Sequence, residues 1–356
     1  MIFKANPKNI LIFSPNWVGD TIMSMPMVRS VRAQFPNAKI FVVARPEVAV
    51  LWESDRTANK VWLFDIFAPG TKLIDYIILM LKIRRHRIDC AIILPLAFRL
   101  ALLCVLSGVS VRIGYNTSHR GIILTKSIEY DFKRLTQEHM IDNYLNIAKQ
   151  CGIPATQRDP ALLVNSAVYQ KLIGVLSASG VSSGDFLVGV APGAAYGPAK
   201  RWPEGKFLLL VKRLIEEMHA KIVLLGSASE SSVAEKIATS LGACVCNLVG
   251  KTSLIEAAAV IKRCDLLVSN DSGLMHLGYA VNTSTVGIFT STSNVWTGPR
   301  WQAPGKHISV RSRIECSPCF SKACSVHKYR CLNSISVDDV WSAITTLSTP
   351  KRQEHA

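Results

Sequence analysis

Short apolar runs recur along this chain, and each is followed by a stretch with helical spacing. In the first half the runs are residues 10–13, 39–43, 61–64, 91–94 and 111–113; in the second they are 186–190, 221–225, 265–269 and 285–289. Alternation of this kind predicts βα units and parallel sheets. A polar, Gly/Pro/Ser-punctuated region at 142–183 separates the halves and is the expected domain boundary. The fold class expected is therefore α/β, with two similar domains facing a cleft where a ligand would gather.

Length and composition agree. A chain of 356 residues exceeds one ordinary core, and 49% apolar against 19% charged residues excludes disorder. The formal net charge of +16 calls for an anionic partner: nucleic acid, a membrane surface or phosphorylated substrates. Residues 71–134 hold 11 Lys/Arg against 4 Asp/Glu, densest at Lys82-Ile83-Arg84-Arg85-His86-Arg87. A solvated helix face is the plain alternative for such a cluster. The start, Met1-Ile2-Phe3-Lys4, does not lead into a signal sequence. Residues 90–109 have the length of a span, but Pro95 and Arg99 interrupt them. Strand, loop and apolar helix are expected there, the helix being a candidate membrane-facing surface. The expected location is the cytoplasm, with ten reduced cysteines.

Four strand ends carry candidate chemistry. Asn270-Asp271-Ser272-Gly273-Leu274-Met275-His276 joins a buried strand to a helix, which puts free backbone N–H groups at a helix start. Asp271 or Ser272 acting only as an N-cap explains the same residues. Ser14-Pro15-Asn16-Trp17-Val18-Gly19-Asp20 places a carboxylate at the first strand's end, either as a cap or as a base for a hydroxyl nucleophile. Ala191-Pro192-Gly193-Ala194-Ala195-Tyr196-Gly197-Pro198-Ala199-Lys200-Arg201-Trp202-Pro203 combines small residues with two cations, a setting for a diphosphate. Leu225-Gly226-Ser227-Ala228-Ser229-Glu230 adds a third turn at the same edge, where Glu230 is either a ribose acceptor or a first-turn helix residue. Neither G-x-G-x-x-G in the first loop nor a P-loop motif is present.

Through these four blocks the chain resembles bacterial ADP-heptose:lipopolysaccharide heptosyltransferases, most closely the heptosyltransferase II branch. The resemblance implies a GT-B fold of two Rossmann-like, doubly wound domains: acceptor-binding at 1–165, nucleotide-sugar-binding at 166–335, and a C-terminal segment 336–356 whose helix crosses back to the first. It also implies transfer with inversion, without a metal or other catalytic cofactor. Asp20 would be the general base, and Lys200 would neutralise the departing diphosphate. Gly193, Ala194, Arg201, Gly226, Ser227, Glu230, Asp271, Ser272 and Gly273 would line the ADP-heptose site. His276 lies one turn after Ser272, facing that site or serving the core. The acceptor implied is a Kdo/heptose-bearing lipid A, whose anionic groups would meet Arg84, Arg85, Arg112 and Arg120. The enzyme would touch the cytoplasmic face of the inner membrane.

Cys316, Cys319, Cys324 and Cys331 form C-x2-C-x4-C-x6-C, the composition of a structural zinc site, or equally of reduced loop thiols. Two further readings compete: a family transferase with another donor or core acceptor, and a basic nucleic-acid-binding protein with a metal module. No nucleic-acid recognition motif supports the second.

Overall fold

The computed structural model describes residues 6–348 except 66, 67, 69, 156, 300–305 and 327. The chain divides into two units, Met1–Pro160 and Ala161–Ala356. Unit 1 contains β1 (Asn9–Phe13), β2 (Lys39–Ala44), β3 (Lys60–Leu63), β4 (Cys90–Ile93), β5 (Val111–Tyr115) and β6 (Lys126–Ile128). They form one parallel sheet in the order β3-β2-β1-β4-β5-β6. Unit 2 repeats that arrangement. Its strands β7 (Leu187–Ala191), β8 (Lys221–Leu224), β9 (Val245–Asn247), β10 (Leu266–Asn270), β11 (Ser284–Phe289) and β12 (His307–Arg311) run β9-β8-β7-β10-β11-β12. Both orders are the doubly wound dinucleotide type, in which the connections reverse direction beside the first strand.

The central strands are buried along nearly their whole length, because helices cover both faces of a parallel sheet. The strands missing from the apolar pattern, β6, β9 and β12, are all edge strands. Their sequences, Lys-Ser-Ile, Val-Cys-Asn and His-Ile-Ser-Val-Arg, are short or half-polar because one side lacks a neighbour. The interrupted stretch 90–109 is strand β4, a loop, and the helix Phe98–Leu106. Among the described residues no helix is long and apolar enough to cross a membrane.

Unit 2 begins at Ala161, a few residues before the expected 166, because Leu162 is already buried and its N–H donates to the Ala280 carbonyl at 2.9 Å. The final helix, Val337–Ser348, is part of unit 2. Val340, Ala343 and Ile344 are buried in the same core as Val286 and Ile288 of β11 and Leu210 of the helix Glu204–Met218. An amphipathic helix buries its apolar stripe on the nearest open sheet face, here that of β11 and β12. Residues 349–356 lie outside the described residues.

Candidate active site

In unit 2 the connections reverse between β7 and β10, so the carboxyl ends of those strands form the crevice where ligands bind in such sheets. Asn270, the last residue of β10, ties the two edges together. Its Oδ1 accepts from the Trp202 N–H at 3.1 Å, and its Nδ2 donates to the Pro192 carbonyl at 2.7 Å. Trp202 is buried and donates its indole N–H to the Ile335 carbonyl at 3.1 Å. The loop that carries Lys200 is thus fixed at both ends.

Lys200 Nζ lies 2.6 Å from Asp271 Oδ2, with the lysine side chain 13% and the aspartate 3% exposed. Thr292 Oγ1 donates to the same oxygen at 2.5 Å. His276 Nε2 stands 3.8 Å from Asp271 Oδ1. Burial pulls the His276 pKa down to about 4, Asp271 opposing the shift and Lys200 adding to it. His276 is therefore a neutral imidazole at pH 7, and the Lys200 ammonium is the cation of the cluster. Lys200 Nζ also sits 4.7 Å above the Tyr196 ring, and Lys322 Nζ 5.8 Å from it.

The helix Gly273–Ala280 starts beside this pair. Ser272 is its N-cap residue, with extended backbone and no side-chain cap bond; its hydroxyl lies 3.1 Å from Ser269 Oγ. Ser272 thus leaves the first N–H groups of this helix without a side-chain cap of its own, and such a helix start suits an anion next to the lysine. The third turn is closed by its own carboxylate. Glu230 Oε2 accepts from the Ser227 N–H at 2.7 Å and from its hydroxyl at 3.0 Å. A Cβ on Gly193 would run into Glu230 Oε1, and one on Gly226 would come within 2.7 Å of Oε2. Arg201 is exposed and donates to the Ala194 carbonyl at 3.2 Å, and Ala194 itself is buried.

In unit 1 the equivalent switch point lies between β1 and β4. There Trp17 holds the N-cap position of the helix Val18–Gln34 without a side-chain cap bond, and Asp20 sits in the first turn, half-buried. Burial, and next the Asp20 carboxylate, hold the Tyr144 hydroxyl well above the usual tyrosine range. Ser14 Oγ accepts from the indole N–H of the buried Trp52 at 2.8 Å.

The profile of glycosyltransferase family 9 (heptosyltransferase) matches residues 78–330. The chain belongs to glycosyltransferase family 9. It is 32% identical over 305 residues to the lipooligosaccharide heptosyltransferase 2 of Haemophilus influenzae, covering 82% of this chain and 86% of that one. To the lipopolysaccharide heptosyltransferase 2 of Escherichia coli it is 31% identical over 304 residues, covering 82% and 85%. The solved structure of the E. coli ADP-heptose LPS heptosyltransferase II gives a TM-score of 0.78 at 28% identity, over 95% of this chain and 98% of that one. The fold is thus of the GT-B class, and the chain is a glycosyltransferase of lipopolysaccharide heptose transfer. The matched span contains the Lys200–Asp271 cluster; Asp20 precedes it.

Among the expected acceptor cations of this family 9 enzyme, Arg120 is a correction. Its guanidinium is fully buried and donates to the carbonyls of Tyr115 at 2.6 Å, Pro95 at 2.5 Å and Ile93 at 3.5 Å. Burial alone lowers its pKa to about 10. It holds the β4 and β5 ends together and has no face for a substrate. Arg112 likewise donates to the Ile123 carbonyl at 2.7 Å and the Ser110 carbonyl at 3.2 Å. Arg84 and Arg85 are exposed at the end of the helix Leu73–Arg85.

The four cysteines cluster loosely. Burial raises the Cys331 thiol pKa, and the charges of Cys319, Cys316 and Cys324 add to the rise. Among the described residues, however, no three such side chains are gathered closely enough to hold a metal ion. The segment does brace the lysine loop: Tyr196 OH donates to the Phe320 carbonyl at 2.7 Å, and the Ala199 N–H to that of Lys322 at 3.1 Å. Thr292 and Lys322 were not legible as site residues, because each reaches the cluster from a segment outside the four strand ends, whereas Tyr196 and Asn270 lie within two of those strand ends.

Proposed function

We propose that this family 9 enzyme is an inverting, metal-independent heptosyltransferase that moves heptose from ADP-L-glycero-D-manno-heptose to the inner core of lipopolysaccharide. The observation that carries the reading is the buried Lys200–Asp271 pair beside the uncapped start of Gly273–Ala280. Together they supply cationic and N–H donors for a diphosphate without calling on a metal. Asp271 Oδ2 is occupied by Lys200 and Thr292, so Asp271 positions the lysine, and Oδ1 is the oxygen for a sugar hydroxyl. Glu230 Oε1, against Gly193, is the oxygen for ribose hydroxyls.

In the proposed step Asp20 takes the proton from an acceptor hydroxyl. The hydroxyl oxygen attacks the anomeric carbon from the side opposite the diphosphate, and the bond from that carbon to the diphosphate oxygen breaks. ADP leaves with its electron pair, and Lys200 and the N–H groups of Ser272 and Gly273 stabilise the charge. Arg84 and Arg85 are the cations for the anionic Kdo/heptose–lipid A acceptor, at the cytoplasmic face of the inner membrane. A structural zinc on the four cysteines stays a separate proposal. One zinc per chain in protein purified without chelator supports it, and none ends it.

The test is transfer from ADP-heptose to a heptose-bearing Kdo–lipid A in EDTA. Wild type remains active, and Asp20→Ala loses about 10²–10⁴-fold in kcat while ADP affinity stays unchanged. Full activity in Asp20→Ala, or loss of wild-type activity in EDTA, contradicts the proposal.

A further inference from the structure

One face of unit 1 carries its apolar residues on the wrong side for an ordinary surface helix. The helix Leu73–Arg85 buries Leu79 and Ile83. Leu73, Ile74, Ile77, Ile78 and Leu81 point outward instead, Leu73 being 76% and Ile78 57% exposed. Their spacing of i, i+1, i+4, i+5 and i+8 puts them on one arc. The neighbouring helix Phe98–Leu106 does the same: Leu100, Ala101, Leu103 and Cys104 are buried, whereas Leu102, Val105 and Leu106 are exposed.

The two helices are tied together at two points. Arg99 Nη1 donates to Tyr76 OH at 3.2 Å, and Arg84 Nη2 to the Leu106 carbonyl at 2.6 Å. Their buried sides enter one core, so their outward sides form one apolar surface. A contiguous apolar surface of this kind marks an interaction site.

The chemistry at its edge selects the partner. Arg85, from the same helix, lines a cavity of about 480 Å³ together with Lys39, Lys60 and Arg87, at the amino edge of β1, β2 and β3. Four cations around one open cavity are complementary to phosphate. Apolar side chains backed by Lys and Arg are the signature of a helix that lies in a lipid headgroup layer.

We propose that the surface of Leu73–Arg85 and Phe98–Leu106 docks unit 1 on an anionic phospholipid bilayer, with lipid phosphates in the basic cavity. This deepens the proposed function, since a lipid-linked acceptor is met at such a surface.

The test is flotation of the full chain with vesicles of phosphatidylcholine plus phosphatidylglycerol, and of phosphatidylcholine alone. Wild type prefers the anionic vesicles by about ten-fold or more. Ile74→Ser/Ile78→Ser lowers binding to them by about ten-fold, as does Leu81→Gln to a smaller degree, with unchanged melting curves. Arg85→Glu/Arg87→Glu abolishes the preference for phosphatidylglycerol. Wild type that stays unbound, or serine variants that bind like wild type, overturns the proposal. So does a variant that turns a dimer into a monomer with vesicle binding intact, because the face then joins two copies. These vesicles carry no sugar acceptor and read docking alone. Transfer to a deacylated acceptor reads the transferase activity alone and is unchanged in Ile74→Ser/Ile78→Ser; an equal loss there overturns the docking role.

Discussion

Lys200 and Asp271 set the character of the site at the scale of single residues. A buried pair of this kind is held by mutual charge, and removing one partner leaves the other uncompensated, at a cost of about 3–5 kcal/mol. His276 beside it is neutral for a related reason: desolvation disfavours the imidazolium more than Asp271 favours it. His307, also buried, has its pKa pulled down to about 4, by burial first and then by Lys306. Both histidines take up protons more readily in the unfolded chain. Their contribution to stability is therefore complete above about pH 6.5 and is lost as pH falls toward 4. At pH 5.5 the loss should be about 1 kcal/mol for each. Thermal melts between pH 7.5 and 5.5 check this: wild type falls in melting temperature, and His276→Gln/His307→Gln shows a flatter dependence. An equal slope in the variant contradicts the assignment.

At the scale of elements, the turns at the strand ends fit one another. Gly193 follows β7 and Glu230 follows β8, and the glycine leaves the room that the carboxylate occupies. Gly193→Ala should displace Glu230, release its bonds to Ser227, and cost about 1–3 kcal/mol of stability. Denaturant melts check the cost, and ADP titration of the same variant should show weaker binding. An unchanged variant on both counts would mean that Glu230 has another resting place. The four turns were legible in sequence because Gly, Pro, Asn and Asp cluster after apolar runs, a local signal. The burial of Arg120 was not legible, because an arginine that donates to three backbone carbonyls looks, in sequence, like any other member of a basic stretch. The edge strands β6, β9 and β12 were missed because pairing on one side removes the need for apolar residues on both faces.

At the scale of the molecule, the same strand order is built twice, so each unit has its own switch point. In the proposed reaction unit 2 would supply the donor site from Lys200, Asp271, Thr292 and Ser272, and unit 1 would supply Asp20 and an apolar, basic-edged surface. Two α/β domains were legible from alternating apolar runs. The packing of the final helix was not legible, because its amphipathic stripe suits any open sheet face; here Val340, Ala343 and Ile344 join the core of unit 2. The central claim is that the β7–β10 edge holds the donor diphosphate. Calorimetric titration of ADP into wild type and Lys200→Ala tests it most directly. The account predicts a loss of about 10–100-fold in affinity, the weight of a charge-assisted hydrogen bond to phosphate. Equal affinity in the two proteins, with the variant still folded, would contradict it.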